Sequence, residues 1–483
     1  MENNNHKLRR NFYKWHRIIG LIALVPVICW TLSGLSHPFM SNWFRPFIPN
    51  ETFKPLTQAQ MKPVMSLQQV LDQNKVAVIR NFGLVDFKGQ TYYQVLQADS
   101  SYSYYSANDG KVLPDGDKLY ATYLARYLTQ DSVSKIKRIT LQTKFDAQYQ
   151  PINHLLPVWK VSFLRPDGMD VYIETGQSRM GTFNNNTRKA MLGLFEQFHT
   201  WQFLAAIGGE KLRIGVLIVL VGCMFLSMLS GLIVYGFLWN RFKELSEKRK
   251  ASGKKDTRFV HRFHRQLGLI MSFLMLTFTF SAAFHLIVKL HNIRPESKPY
   301  SQLINRDQLQ LSNLQLPVAD TLIKKVSVAM FENKVYYQVL KRDKSMAYID
   351  AANGKELPDG DVRYASYLAD YYRKTSGSTT NIQPGKTELI KQFNEEYGFI
   401  NKRLPVEKVS YGSENWYIET ATAKLATKVA GLDRAEGFSF IFLHKYFGMS
   451  WAGKNIRDIV SMLAALGILV VSLFGFAAFL KNQ

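Results

Sequence analysis

Three histidines, His16, His37 and His199, are answered later in the chain by His264, His285 and His444, in the same order and beside the same kind of apolar run. The displacement between copies is nearly constant, at about 248 residues. Of the other histidines, His6 corresponds to Lys254, His154 to Lys402, His261 to Tyr13 and His291 to Trp43, so those four are not duplicated. A lone histidine at the end of an apolar segment is usually an interfacial polar residue. Six that recur as a set, each flanking an apolar run, point instead to metal or haem ligation through imidazole nitrogen.

Spacing adds geometry. His16 and His37 lie about 21 residues apart on what should be one helix, which puts them ~31 Å apart in height and ~60° apart in facing. They would occupy opposite membrane surfaces on one side of the helix, and His264 and His285 repeat the arrangement. His199 follows Leu192 and Phe195 at helical spacing, and His444 sits with Phe440 and Phe447 in the same manner, each on a short amphipathic helix ahead of the next apolar run. The result is two candidates at the inner surface (His16, His264) and four at the outer (His37, His199, His285, His444). Imidazoles in an apolar setting, with no thiolate or carboxylate nearby, are the ligand set of b-type haem, and bis-histidine ligation favours electron transfer. Zinc would require three or four converging ligands. No Cys-x-x-Cys-His occurs, so covalent c-type haem is excluded. Two haems are expected, or three if the outer histidines form two pairs: His37 with His199 and His285 with His444, or one haem shared between copies. Spacing does not choose between these. Arg17 and Arg265 each follow a histidine and could pair with haem propionates, although anchoring at a charged membrane surface explains them equally well. The small residues Gly20, Ser33, Gly34 and Gly268 would admit a macrocycle or serve ordinary helix packing.

The elements that must hold these residues are four apolar runs, roughly residues 18–35, 214–238, 267–288 and 459–480, each long enough to cross ~30 Å of hydrocarbon. Lys7, Arg9, Arg10, Lys14 and Arg17 precede the first run. Arg241, Lys243, Lys248, Arg249, Lys250, Lys254, Lys255 and Arg258 fill the link between the second and third. These flanks belong on the cytoplasmic side, together with both termini. The two long intervening segments then face the opposite compartment, the periplasm of a bacterium. Much of the net charge of +24 is accounted for by these flanks, where bases meet anionic lipid, so nucleic acid is not an expected partner. The first run is expected to be retained, because the bulky Ser36-His37-Pro38-Phe39-Met40 offers no signal-cleavage site. Cys29 and Cys223 both fall within apolar runs, so disulfides do not staple the exported segments. A permease is disfavoured by the lack of ionisable residues inside the runs.

The duplication extends beyond the histidines. Tyr92-Tyr93-Gln94-Val95-Leu96 recurs as Tyr336-Tyr337-Gln338-Val339-Leu340, Leu113-Pro114-Asp115-Gly116-Asp117 as Leu357-Pro358-Asp359-Gly360-Asp361, and Tyr172-Ile173-Glu174-Thr175 as Tyr417-Ile418-Glu419-Thr420. Residues 91–96, 102–106, 158–163 and 169–174 alternate like strands, with hairpin corners at Asn108-Asp109-Gly110 and Pro166-Asp167-Gly168. Tyr120, Tyr123, Leu124 and Tyr127 fall on one face of a helix over 117–128. The expected fold is therefore a membrane-spanning α-helical four-span bundle built from a tandem repeat, with two periplasmic α+β domains containing antiparallel sheet. Its segments are 1–40 (basic leader and first span), 41–187 (first exported domain), 188–240 (amphipathic helix and second span), 241–262 (basic loop), 263–290 (third span), 291–433 (second exported domain) and 434–483 (amphipathic helix and fourth span).

His16-Arg17-Ile18-Ile19-Gly20-Leu21 and His264-Arg265-Gln266-Leu267-Gly268-Leu269 at the starts of spans, with Phe195-Glu196-Gln197-Phe198-His199 and Phe442-Leu443-His444 ahead of the next spans, resemble the bacterial PepSY-TM family. The likeness runs over nearly the whole chain, with looser agreement in the exported domains. It implies PepSY-like exported domains and an inner-membrane b-haem oxidoreductase similar to ferric-siderophore reductases, with the six duplicated histidines as axial ligands. A ferric siderophore or other ferric chelate would be the acceptor for iron uptake. Some relatives continue into a cytoplasmic flavoprotein, whereas this chain stops at Gln483, so the resemblance implies a separate flavoprotein or quinol donor. The competing class is a non-enzymatic, membrane-anchored binding or sensory module, in which the histidines would be dispensable.

Overall fold

The computed structural model describes residues 2–43, 48, 63–252, 259–293, 298–309, 316–377 and 383–481. The chain divides into two units. One comprises Met1–Arg45, Thr187–Ile293 and Leu432–Gln483, and the other Pro46–Asn186 and Arg294–Gly431.

The first unit, the span unit, contains four helices long and apolar enough to cross a membrane: Arg10–Pro38, Gln202–Phe237, Phe259–His291 and Lys454–Leu480. Each outruns the apolar stretch expected from sequence, because the helix continues into its polar flanks. The first span packs on the second and fourth, and the third packs on the same two, closing a four-helix ring. Ala23, Val27, Met224 and Ile468 are buried at its centre, with Trp30, Met271, Met275 and Phe278 around them. Ile22, Val25, Phe273 and Leu463 are exposed on the spans, as hydrocarbon-facing side chains are when helices already satisfy their own backbone groups. Short helices Asn186–Phe198 and Gly431–Ser439 precede the second and fourth spans.

The other unit, the sheet unit, is built from sixteen strands among the described residues. They are β1 (Val78–Phe87), β2 (Gln90–Gln97), β3 (Tyr102–Ser106), β4 (Val112–Leu113), β5 (Ile136–Gln142), β6 (Val158–Phe163), β7 (Asp170–Glu174), β8 (Arg179–Asn184), β9 (Ile304–Asn305), β10 (Ile323–Phe331), β11 (Lys334–Lys341), β12 (Met346–Asp350), β13 (Thr387–Ile390), β14 (Val406–Tyr411), β15 (Glu414–Glu419) and β16 (Lys424–Val429). They form four antiparallel sheets, ordered β4-β3-β2-β1-β9, β5-β6-β7-β8, β10-β11-β12 and β13-β14-β15-β16. Each segment thus carries two sheets where the sequence suggested one. Helix Gly116–Thr129 lies between them, burying Tyr120, Leu124 and Leu128 against Phe87 and Tyr104 on one side and Val161 and Ile173 on the other. Helix Gly360–Thr375 does the same with Tyr364 and Leu368. The outer faces of β1–β3 and β10–β12 share one core, in which Phe82, Tyr93 and Val95 meet Val326, Tyr337 and Val339.

This packing explains the recurring motifs. Asp115 and Asp359 both have φ of +53°, a left-handed conformation that aspartate tolerates better than bulkier residues. Gly116 and Gly360 follow because a Cβ there would stand 2.6 Å from the Tyr104 Cβ and 2.7 Å from the Tyr348 Cβ. Tyr104 Oη donates to Asp117 Oδ1 at 2.9 Å, and Tyr348 Oη donates to Asp361 Oδ1 at 2.8 Å. Gln94 and Gln338 reach these tyrosines from β2 and β11 and also donate to the carbonyls of Thr175 and Thr420. Burying such polar groups is tolerable only when their hydrogen bonds are made.

The two segments differ at one point of this network. Trp159 Nε1 donates to Asp117 Oδ2 at 2.6 Å, whereas Glu407 occupies the matching position opposite Asp361. Burial, the Asp361 charge and their hydrogen bond push the Glu407 carboxyl up to about 9. It therefore carries a proton at neutral pH and does the donor's work of the indole. Because the folded-state value lies above that of the unfolded chain, this group's contribution to stability is complete in acid. It declines as pH rises from the ordinary carboxyl range through about 9, with a slope of at most ~1.4 kcal/mol per pH unit. Urea titrations of the full chain at pH 6 and pH 8.5 should show that decline in wild type and its absence in Glu407→Gln.

A buried charge cluster lies where the two segments meet. Arg179 pairs with Glu174 and, at 2.7 Å, with Glu419, while Arg403 reaches Glu419 at 2.6 Å. Lys424 stands 3.9 Å from Glu174. Burial alone would raise the Glu419 carboxyl, but Arg179 and Arg403 overturn that and hold it well below the ordinary carboxylate range.

Candidate haem-ligand cluster

All six duplicated histidines fall within the span unit. The ring centroids of His16 and His264 lie 6.1 Å apart, with their planes inclined at 35°. His16 Nδ1 donates to the Ser227 carbonyl at 3.0 Å and lies 3.2 Å from Ser230 Oγ, both on the second span. His264 Nδ1 donates to the Val471 carbonyl at 2.9 Å, on the fourth. A carbonyl only accepts, so the proton of each neutral ring sits on Nδ1 and Nε2 keeps its lone pair. A metal–imidazole bond is roughly 2 Å, and two in line plus the half-width of each ring span about 6 Å. His16 and His264 are therefore close enough that the two imidazoles could together hold one metal-centred group.

Glycine makes room for both rings. A Cβ at Gly231 would lie 2.9 Å from His16 Cε1, and one at Gly475 would lie 2.8 Å from His264 Cε1. Neither ring can retreat without giving up its carbonyl. Gly231→Ala and Gly475→Ala are each expected to displace their imidazole; were a haem held by these rings, each would lower it severalfold, read as haem per chain in protein whose thermal unfolding is otherwise unchanged.

The other four histidines lie toward the opposite end of the spans. His199 Nδ1 is 3.0 Å from Ser33 Oγ, and His444 Nδ1 is 3.1 Å from Ser281 Oγ. Ser33 spends its proton on the Cys29 carbonyl, and Ser281 spends its own on that of Phe278. Each hydroxyl oxygen thus accepts from Nδ1–H, and the same tautomer results. Phe195 stacks on His199 at 4.4 Å and touches His37 at 5.7 Å. Phe440 stacks on His444 at 4.8 Å and touches His285 at 5.2 Å. Trp30 Nε1 donates to the His199 carbonyl at 2.9 Å. Burial, then His37, pushes the His199 imidazole down to about 4. His444 is pushed down to about 3 by burial, with His199, Lys445, His285 and His37 adding to the shift. Both rings are neutral, as ligation requires, and the four outer histidines are close enough to feel one another.

His199 directly follows the helix Asn186–Phe198, and His444 is the last residue of the π-helical turn Phe440–His444 that continues Gly431–Ser439. Arg17 stacks over Phe479 with its Cζ 4.7 Å from the ring centroid, and Arg265 over Phe242 at 3.8 Å. Gly20 and Gly268 pack at ordinary distance on Ser227 and Val471, while nothing lies within 4 Å of a Cβ built at Gly34. Among the described residues, no group of three or more His, Cys, Asp or Glu side chains could hold a bare metal ion. The paired imidazoles are a donor set that a group taking two nitrogen ligands could use. The orienting partners Ser227, Ser230, Val471 and Ser281, the phenyl rings as shared contacts, and the glycines Gly231 and Gly475 were not anticipated from sequence. No known protein-family model matches the chain, and no curated protein is similar to it at a significant level.

Proposed function

We propose that this chain is a b-type haem protein of the bacterial inner membrane, built as a tandem repeat, that passes electrons from the cytoplasmic side to a ferric chelate in the periplasm. The observation that carries the proposal is the His16–His264 pair, two imidazoles on different spans at ligand separation with both Nδ1 protons tied to main-chain carbonyls. Bound haem would supply reversible one-electron storage between Fe(III) and Fe(II). His16 and His264 would hold it near the inner surface, and His37, His199, His285 and His444 would hold one or two more near the outer surface. The spans provide a low-dielectric setting and the Nδ1 bonds fix ring orientation, which together tune affinity and potential. The basic flanks support a cytoplasmic location for the termini and the 241–262 loop, with the sheet unit periplasmic and PepSY-like.

A separate quinol or flavoprotein would supply the electrons. Delivering one to a ferric chelate converts Fe(III) to Fe(II), which hard oxygen donors bind less tightly. Reduced full-length protein mixed anaerobically with a ferric hydroxamate should lose its reduced b-type bands as Fe(II) appears in a ferrous-selective dye. Bands that persist over minutes would remove the ferric chelate from the account.

A further inference from the structure

His285 differs in its orienting partner from His16, His264, His199 and His444. Its Nδ1 donates to Glu436 Oε1 at 2.7 Å, whereas the Nδ1 atoms of His16, His264, His199 and His444 meet hydroxyl or carbonyl oxygens. Glu436 stands on the pre-span helix Gly431–Ser439 and its side chain is 19% exposed. At the same distance before His199 the first copy has Met191, a thioether with little acceptor strength. The carboxylate bond therefore belongs to one copy only.

We propose that Glu436 is a positioning residue that makes the outer site containing His285 a stronger reductant than its surroundings. The proposal rests on the haem reading above. A carboxylate accepting Nδ1–H draws the proton away from the ring and makes Nε2 a stronger donor to iron. Stronger donation favours Fe(III) over Fe(II) and lowers the reduction potential. Lys445 lies near enough for Glu436 to act on it and offsets part of the charge without replacing the hydrogen bond. An electron reaching this site would be the one most readily surrendered to an external acceptor.

A helix tie is the alternative role. Asn292 Nδ2 donates to Asp433 Oδ1 at 2.7 Å, so the same helix is also tied to the residue just past the third span. Glu436→Gln keeps a tie and removes the charge. The test is an optical redox titration of the full-length, haem-loaded protein, with haem content measured on the same samples. In Glu436→Gln, unchanged haem content and an upward shift of one haem component, with the others unmoved, is the expected result. Glu436→Ala should in addition weaken haem retention on the order of tenfold. Wild-type protein should show one low-spin EPR signal with the narrower g-spread of an imidazolate-like ligand, a measurement that needs no variant to fold. Midpoints that coincide with wild type in Glu436→Gln, or indistinguishable EPR components in wild type, would overturn the tuning role while leaving the haem assignment standing. Wild-type protein without haem would remove the assignment itself.

Discussion

Replacing His16 with alanine is expected to remove one haem per chain while the outer histidines keep theirs, and His264→Ala should give the same loss. The effect would be large because the group would need both rings. With one imidazole gone, the remaining ring alone would have to hold it, with no second donor from the facing span. The rings sit 6.1 Å apart and come from different spans, so a neighbouring side chain cannot take over without moving a helix. The double variant should lose no more than either single one, the non-additivity of residues that act as a unit. In contrast, His154→Ala and His291→Ala, at positions the repeat does not duplicate, should leave haem content at the wild-type value. Haem assay and absorbance on one purified sample give the ratio.

Arg179→Ala should destabilise the sheet unit by about 3–5 kcal/mol, and Arg403→Ala should fall in a similar range. Arg179 pairs with Glu174 of its own segment and Glu419 of the other, and the two carboxylates are 7% and 4% exposed. Removing the guanidinium leaves both carboxylates buried without their principal counter-charge, which costs more than the pair contributes when intact. The double replacement Arg179→Met with Glu419→Gln should recover a substantial part of the loss, since it removes an anion along with the cation. Because the cluster lies in the sheet unit, these variants should unfold at lower denaturant while retaining haem under native conditions. Circular dichroism in urea, read beside haem absorbance, separates the two outcomes.

The six histidines stood out because duplication sorted six from ten, and all six fall within the span unit. Their supports did not. Ser227 and Val471 act through main-chain carbonyls, which every residue type possesses, and Gly231 and Gly475 matter only once the rings lie beside them. The spans were legible from apolar length, but their ends were not, since Arg10 and Lys454 continue helices whose hydrocarbon-facing part is shorter. In the sheet unit, β3 and β6 appear where alternation placed them, at Tyr102–Ser106 and Val158–Phe163. β1 went unrecognised, and β2 carries five consecutive buried residues. These strands are covered by a helix on one face and by the opposite segment on the other, so their burial does not follow a period of two, although β2 was still read from its sequence as residues 91–96. The second sheet of each segment was missed for a related reason: sequence separation does not say which hairpins pair and which pack face to face.

The central claim is that paired imidazoles on the spans grip haem. Its most direct measurement is the reduced-minus-oxidised absorption spectrum of the full-length protein purified from haem-replete cells, with haem quantified per chain. The account predicts the sharp α, β and Soret bands of low-spin b-type haem at two or three per chain, falling by one in His16→Ala. Protein that is folded by circular dichroism yet colourless, or colour that survives loss of both His16 and His264 undiminished, would contradict it.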